Sequence, residues 1–499
     1  MASLDLLRKE RLAKAETLRQ RGINPYPSKS FRTHSIKEIV QNPENFLEEI
    51  AVAGRLMSMR AHGGVTFSDM TDESESIQLY LKEDTLTSTD AKTQSIGFAD
   101  LNLLDIGDII EARGKIMRTK RGELSLEATH LRMLAKSIRP LPNKHDGLKD
   151  PELIFRKRYL DLVINPEQKE LFKRKALFWQ AHRDFMAMHG FIEMQIPVLE
   201  LVTGGADAKP FTTYHNALDQ DYFLRISLEL NLKRLIGGGF EKVYALGPVF
   251  RNEGIDDEHL QEFYAIEWYW AYADYRDNMK LSQECFRYIA DKVYGRTVFT
   301  REGHTFDLAS DWPEIDYTEA IKSKLGIDIW SDGEEKMREV IERYGAELNK
   351  GLINRNRLVD NLWKIVRKTI SGPAFLVNEP AFMSPLAKSH PNNSKLTERF
   401  HIILAGSEMA NAYSELNDPV DQLNRFKEQQ RARDAGDLES QMLDIDFVEM
   451  LEYGMPPVSG YGHSERLFAF FENLSVREAT LFPQMRAKTD DTTREIYGL

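Results

Sequence analysis

The sequence predicts an α+β chain with two cores: a small β-barrel near the amino end, and a larger domain in which an antiparallel sheet is flanked by helices. Three observations lead there. Residues 50–135 break into short alternating runs punctuated by glycine, the pattern of strands in a small Greek-key barrel. The stretch from Gly247 to Tyr275, GPVFRNEGIDDEHLQEFYAIEWYWAYADY, reads as two strands joined by a long polar loop. Finally, 499 residues that are 42% hydrophobic, with no low-complexity tract, suffice for more than one packed core.

From the amino end, residues 1–49 form a helical extension. Arg8, Lys9, Arg11, Lys14, Arg19 and Arg21 crowd a helix that Gly22, Pro25 and Pro27 stop. A solvated helix face is the favoured reading of these charges and a nucleic-acid contact the alternative. The net charge of −12 argues against unselective polyanion binding. The single cysteine, Cys285, excludes an internal disulfide framework and reads as a small buried hydrophobe in a reducing compartment. No stretch reaches the apolar length of a membrane span, and the start is charged throughout, so the expected location is the cytoplasm.

Across residues 50–135 the alternating surface carries Arg60, Phe67 and Gln78. A cation, a stacking ring and a hydrogen-bonding amide are the groups that splayed-out bases require, and an OB-fold is one frequent tenant of such a pattern. Residues 136–159, rich in proline and charge, read as a linker, and the larger domain runs over 160–499.

That domain opens with a long amphipathic helix stopped at Gly190, then a short strand ending at Pro197. Gly204 and Gly205 read as a turn. Glu229 lies near the start of a helix opened by Ser227, where a carboxylate suits the helix dipole. In the hairpin, a period of two puts Phe263, Ala265, Glu267 and Tyr269 on one side and Tyr264, Ile266, Trp268 and Trp270 on the other. The second, bulky set is expected to be buried against helices, which leaves the first as a working surface. Arg251 shares the face of Val249 and Gly247, although Arg opposite Glu is also an ordinary cross-strand pair. What singles the hairpin out is the accumulation of Glu253, His259 and Glu262 beside them. Residues 276–372 read as helical, with capping-box spacing from Ser331 to Glu334, and show no chemistry. Alternation then puts Asn411, Tyr413 and Glu415 on one strand face. PPVSGYGHSERLFAFF runs from a glycine-bearing turn into an apolar helix with Arg466 at its start, a place that suits a phosphate-bearing ligand.

FRNEG, then HLQEF, then AIEWYWAYADY resemble motif 2 of the class II aminoacyl-tRNA synthetases, and most closely the lysyl-tRNA synthetase family. The resemblance covers nearly the whole chain: residues 172–199 are similar to motif 1, 242–275 to motif 2 and 456–475 to motif 3. ANAYSELNDP is close to the string that lysyl-tRNA synthetases carry at this place, and VAGRLMSMRAHGGVTFSDMTDESESIQLYL is similar to the anticodon-binding domain of the bacterial members. The resemblance implies a class II catalytic domain, a homodimer built through motif 1, and an ATP-dependent, AMP-forming lysine–tRNA ligase whose partners are L-lysine, ATP and tRNA(Lys).

It implies that Gly205, Glu229, Arg251, Glu267, Tyr269, Asn411, Tyr413 and Glu415 hold lysine, with Gly205 and Glu229 on its α-amino group. It implies that ATP meets Arg251, Glu253, His259, Phe263, Glu408 and Arg466, with Arg251 and Arg466 catalytic and Phe263 and Arg466 sandwiching the adenine. Phe67 would stack on an anticodon base beside Arg60 and Gln78, and Mg2+ would bind at Glu408. Two carboxylates and a phenol, Glu267, Glu415 and Tyr269, suit the ammonium at the end of a lysine side chain, whereas a longer arginine is rejected by depth.

The chain departs from the family at four places. Gly64 stands where lysine is usual, and HLQEF where HNPEF is common. GYGHSER is one residue shorter than the usual GLGIGIDR. His401 takes the position of the second magnesium carboxylate, and a neutral imidazole is a poor magnesium ligand. These departures keep two other readings in view: a noncatalytic tRNA-binding or regulatory paralogue, and lysyl transfer to another acceptor. The barrel argues against the second, and an aspartate-specific relative is disfavoured because two carboxylates would repel an acidic substrate.

Overall fold

The computed structural model describes residues 4–142, 148–345, 355–436 and 440–499. It separates into two compact units, residues 1–164 with 484–499, and residues 165–483. Part of the segment 136–159 read as a linker lies outside the described residues, and its described residues on both sides belong to the first unit. Among the described residues no helix is long and apolar enough to cross a membrane.

In the first unit, strands β1 (Ile50–His62), β2 (Val65–Thr71), β3 (Ser76–Lys82), β4 (Ile109–Arg118) and β5 (Leu124–Ala135) close into a barrel in the order β1-β2-β3-β5-β4. Every neighbouring pair is antiparallel except β3 with β5. Val52, Met70, Leu79, Ile110 and Leu126 fill the inside, and the helix Leu4–Gln20 adds Leu18 to the same cluster. This helix is not a uniformly solvated charged face. Arg11 is buried and donates to the carbonyls of Ser137 (3.1 Å), Arg139 (3.2 Å) and Ile106 (3.1 Å), while Lys14 pairs with Asp105 at 2.8 Å. Part of its basic charge therefore holds the unit together.

The second unit is built on an eight-stranded sheet in the spatial order 314–316, 374–377, 399–404, 407–414, 458–464, 262–271, 242–250, 192–193. It is antiparallel throughout its middle and parallel only at its two edges. Strands 242–250 and 262–271 form the expected hairpin, with Val249 opposite Phe263, Gly247 opposite Ala265 and Ala245 opposite Glu267. On the face away from the site, Trp268 stacks on Tyr461 at 3.8 Å and donates its indole N–H to Asn278, against helices Glu167–Met188 and Tyr275–Ile289. A fully buried aromatic side chain of this kind contributes roughly 1.5–3 kcal/mol. Tyr264, expected in the same buried row, is 44% exposed: it lies near the start of its strand, where Trp179 of the long helix covers only part of its ring. Cys285 is buried in this core, and burial raises its thiol pKa.

Two imidazoles cross the same core. His182 Nδ1 lies 2.7 Å from the carbonyl of Phe178, which can only accept, so Nδ1 carries the proton. His182 Nε2 then accepts from His463 Nε2 at 2.9 Å, and His463 Nδ1 accepts from the Tyr461 hydroxyl at 3.1 Å. His463 belongs to the shortened glycine segment, where it ties the strand 458–464 to the long helix.

The insertion between residues 317 and 367 has its own core around Tyr317, Ile341, Leu358 and Trp363. Its helix Glu334–Arg343 is capped by Gly333, without a side-chain bond, so Ser331 and Glu334 do not form a capping box.

Candidate active site

Every residue that the sequence placed at a substrate site lines a single cavity of about 380 Å³ in the second unit, on the face of the sheet opposite Trp268. Its deep end is anionic. Glu229, buried on the first turn of helix Glu229–Gly237, has its N–H bonded to Ser227 Oγ at 3.0 Å and accepts the Tyr413 hydroxyl on both oxygens, at 2.9 and 2.8 Å. Glu267 accepts the N–H of Leu228 at 2.9 Å and the hydroxyl of Tyr269 at 3.2 Å. Burial and the nearby Glu229 carboxylate push its pKa up to about 7, against the pull of these donors and of Arg251. Glu415 is almost wholly buried, and burial raises its carboxyl while Lys233 pulls it down.

Glycines make this crowding possible. Gly460 and Gly462 face Tyr413 and Asn411 on one side and Tyr269 and Glu267 on the other. A Cβ on Gly460 would overlap Glu415 Oε1 and the Tyr269 ring, and one on Gly462 would lie 3.1 Å from Glu267 Cγ. Gly205 has φ +84°, and a Cβ there would overlap Ser227 Oγ. The glycines expected to let a phosphate approach instead make room for acidic side chains.

The shallow end is cationic. Arg251 lies over the Phe263 ring at 5.3 Å and donates to the carbonyl of Ile226 at 3.3 Å. Arg466 opens a helix of only six residues and pairs with Glu258 at 2.9 Å. His259 is exposed and bound to Asp256 at 2.8 Å, and Glu253 lies on the same loop. Asn411 accepts from Arg399 at 2.8 Å, which leaves its amide N–H groups facing the cavity.

Glu408 is already engaged. Its Oε1 accepts the Trp363 indole N–H at 2.5 Å and lies 3.9 Å from Arg367, and its Oε2 lies 3.6 Å from His401 Nδ1. Burial alone would raise its pKa, but His401, Arg367 and Trp363 more than offset this and lower it. His401 is bound on its other nitrogen to Glu379 at 2.8 Å. A magnesium ion bridged by two carboxylates does not fit here: one position is an imidazole held by another acid, and the remaining carboxylate is taken by protein donors. Among the described residues no group of three or more His, Cys, Asp or Glu side chains could hold a metal ion.

In the barrel, Arg60 and Phe67 are cross-strand partners, as are Asp69 and Gln78. Phe67 packs on Tyr80 at 5.4 Å and His62 at 6.4 Å, Arg60 pairs with Asp69 at 3.3 Å, and Gln78 accepts from Ser125 at 3.0 Å. Gly64 lies in the turn between β1 and β2.

Two contributions escaped the sequence. Lys233, fully buried, bridges Glu229 (3.0 Å) and Glu415 (2.6 Å). Its spacing of four from Glu229 was the available signal. The insertion supplies Trp363 and Arg367, for which no local pattern existed.

Residues 150–486 match the family of tRNA synthetases class II (D, K and N), and residues 50–134 match the OB-fold nucleic acid binding domain. The chain is 43% identical to the lysine–tRNA ligase of Moorella thermoacetica, over 96% of this chain and 98% of that protein. It is 41% identical to that of Thermotoga maritima, over 96% of each, and 40% identical to that of Fervidobacterium nodosum, over 97% and 94%. With a class II synthetase match over most of the chain and 40–43% identity to these lysine–tRNA ligases over nearly the whole length, the chain belongs to the lysine–tRNA ligase family of class II tRNA synthetases.

Proposed function

We propose that the chain activates L-lysine with ATP and transfers it to the 3′ end of tRNA(Lys), and that the cavity described above is where both substrates meet. The observation that carries this is the polarity of the cavity, with Glu229, Glu267 and Glu415 at its deep end and Arg251 and Arg466 at its mouth. A lysine placed with its side-chain ammonium between Glu267, Glu415 and Tyr269 puts its α-amino group near Glu229 and Gly205. Its carboxylate then points to Arg251 and Asn411. A lysine carboxylate oxygen attacks the α-phosphorus of ATP, the bond to the bridging oxygen of pyrophosphate breaks, and lysyl-adenylate forms. The carboxylate is already ionised, so no general base is needed. Arg251 lies between the carboxylate and the α-phosphate and stabilises the charge that develops there. Phe263 and Arg466 flank the adenine, while His259 and Glu253 belong to the loop that closes over the nucleotide. In the second step a ribose hydroxyl at the tRNA terminus attacks the lysyl carbonyl and AMP leaves.

In this reading Arg60, Phe67 and Gln78 read the anticodon, and the protein works in the cytoplasm as a homodimer. The experiment is ATP–pyrophosphate exchange with each amino acid in turn, followed by charging of tRNA(Lys). Lysine-dependent exchange and charging support the reading. Exchange with no amino acid, in a protein that still binds tRNA, would favour the noncatalytic alternative.

A further inference from the structure

Lysine recognition through Glu267 and Glu415 leaves one group unaccounted for. The Lys233 ammonium sits inside the same acidic cluster, between Glu229 of its own helix and Glu415, which directly follows strand 407–414, with the Phe447 ring 5.3 Å away. It takes only one oxygen of Glu415. The other, Oε1, is buried with no hydrogen-bond partner and lies beside Tyr269 and Gly460 at the cavity wall.

A purely structural ion pair would be expected to satisfy both of its members, since a buried unpaired carboxylate oxygen is costly. Here one oxygen is left without a donor, in a residue that lines the cavity. The charge at this end points the same way. With all three carboxylates ionised, Glu229, Glu267 and Glu415 stand against the one cation at this end, Lys233, leaving two negative charges. A bound lysine brings its two ammonium groups to this end and its carboxylate to Arg251 at the mouth.

We propose that Lys233 is a positioning residue that sets specificity: a built-in ammonium that occupies Glu415 Oε2, ties Glu415 to Glu229, and leaves Glu415 Oε1 as the docking point for the substrate's side-chain ammonium. The inference rests on the reading of this cavity as the lysine site. Glu415 is faced by Lys233, Glu229, Glu267 and Tyr269, and Lys233 is the cation that lowers its proton affinity. Glu229 and Glu415 in turn keep Lys233 protonated despite its burial. Without Lys233, Glu415 would hold a proton more tightly and select an ammonium less well.

The test compares wild type, K233M and K233R in ATP–pyrophosphate exchange with lysine and with norleucine, which is lysine without its terminal ammonium, across pH 6 to 9. Thermal melts establish folding. In K233M the preference for lysine over norleucine should fall by about tenfold or more, through lysine KM rather than kcat, with the lysine KM–pH profile displaced to higher pH. K233R, which keeps the charge, should retain the preference to within about threefold. A folded K233M with wild-type preference and pH profile would overturn the inference. Should K233M fail to fold, K233R decides: a folded K233R that has lost the preference overturns the inference, and one that keeps it supports it. Wild type without lysine-dependent exchange would remove the underlying reading and this inference together, whereas active wild type with an unaffected K233M removes this inference alone.

Discussion

The indole N–H of Trp363 donates to Glu408 Oε1 at 2.5 Å, joining the helical segment 317–367 to the wall of the cavity, at the end proposed to hold ATP. A hydrogen bond to a charged group contributes about 1.5–3 kcal/mol. W363F should therefore raise the KM for ATP about tenfold and leave the KM for lysine unchanged, as read by pyrophosphate exchange with each substrate varied in turn. An unchanged ATP KM would mean that Glu408 does not face the nucleotide.

Proton binding at Glu267 competes with an ammonium, and its folded pKa stands at about 7. The KM for lysine should fall as pH rises through this value. The stability linkage runs in the same sense. A carboxyl raised above its unfolded value of 4.5 contributes stability that is present below pH 4.5 and is lost as pH rises through about 7. The increase in Tm produced by saturating lysine should therefore grow between pH 6 and 8. E267Q should abolish that growth and raise the lysine KM by about a hundredfold, while tRNA binding stays intact.

Gly460 has no room for a methyl group beside Glu415 and Tyr269. G460A should destabilise the protein by about 1–3 kcal/mol in chemical denaturation and eliminate lysine-dependent exchange. Full activity in that variant would show that the acidic cluster can be rearranged without loss.

The barrel offers a separable readout. Stacking of a base on an aromatic ring contributes about 1–3 kcal/mol, so F67A should raise the KM for tRNA(Lys) about tenfold in the charging assay. Pyrophosphate exchange, which needs no tRNA, should not change.

What the sequence disclosed follows from range. The hairpin register and its working face were legible because strand alternation is a property of neighbours, and Glu267, Tyr269, Asn411, Tyr413 and Glu415 follow it. The barrel was legible for the same reason. Lys233 was not, because its partner Glu415 lies 182 residues away and a lysine four residues after a glutamate looks like an ordinary surface pair. Trp363 and Arg367 reach Glu408 only through the packing of the insertion against strand 399–404, which leaves no local trace. Tyr264 shows the converse limit, since alternation assigns a face but not where the covering helices end.

The His182–His463 chain makes the core directional with respect to protons. Each link already has its donor, so an added proton on His182 sets two N–H groups against each other across 2.9 Å, and one on His463 Nδ1 displaces the hydrogen bond from the Tyr461 hydroxyl. Burial depresses His182 to about 4 and lowers His463 as well, while an unfolded histidine titrates near 6.5. The unfolded chain therefore binds more protons between these values, and stability present above pH 6.5 is lost as pH falls toward 4, by about 1.4 kcal/mol per pH unit for each group. Acid should thus first loosen the joint between the long helix and the glycine-bearing strand, from which the helix opened by Arg466 follows.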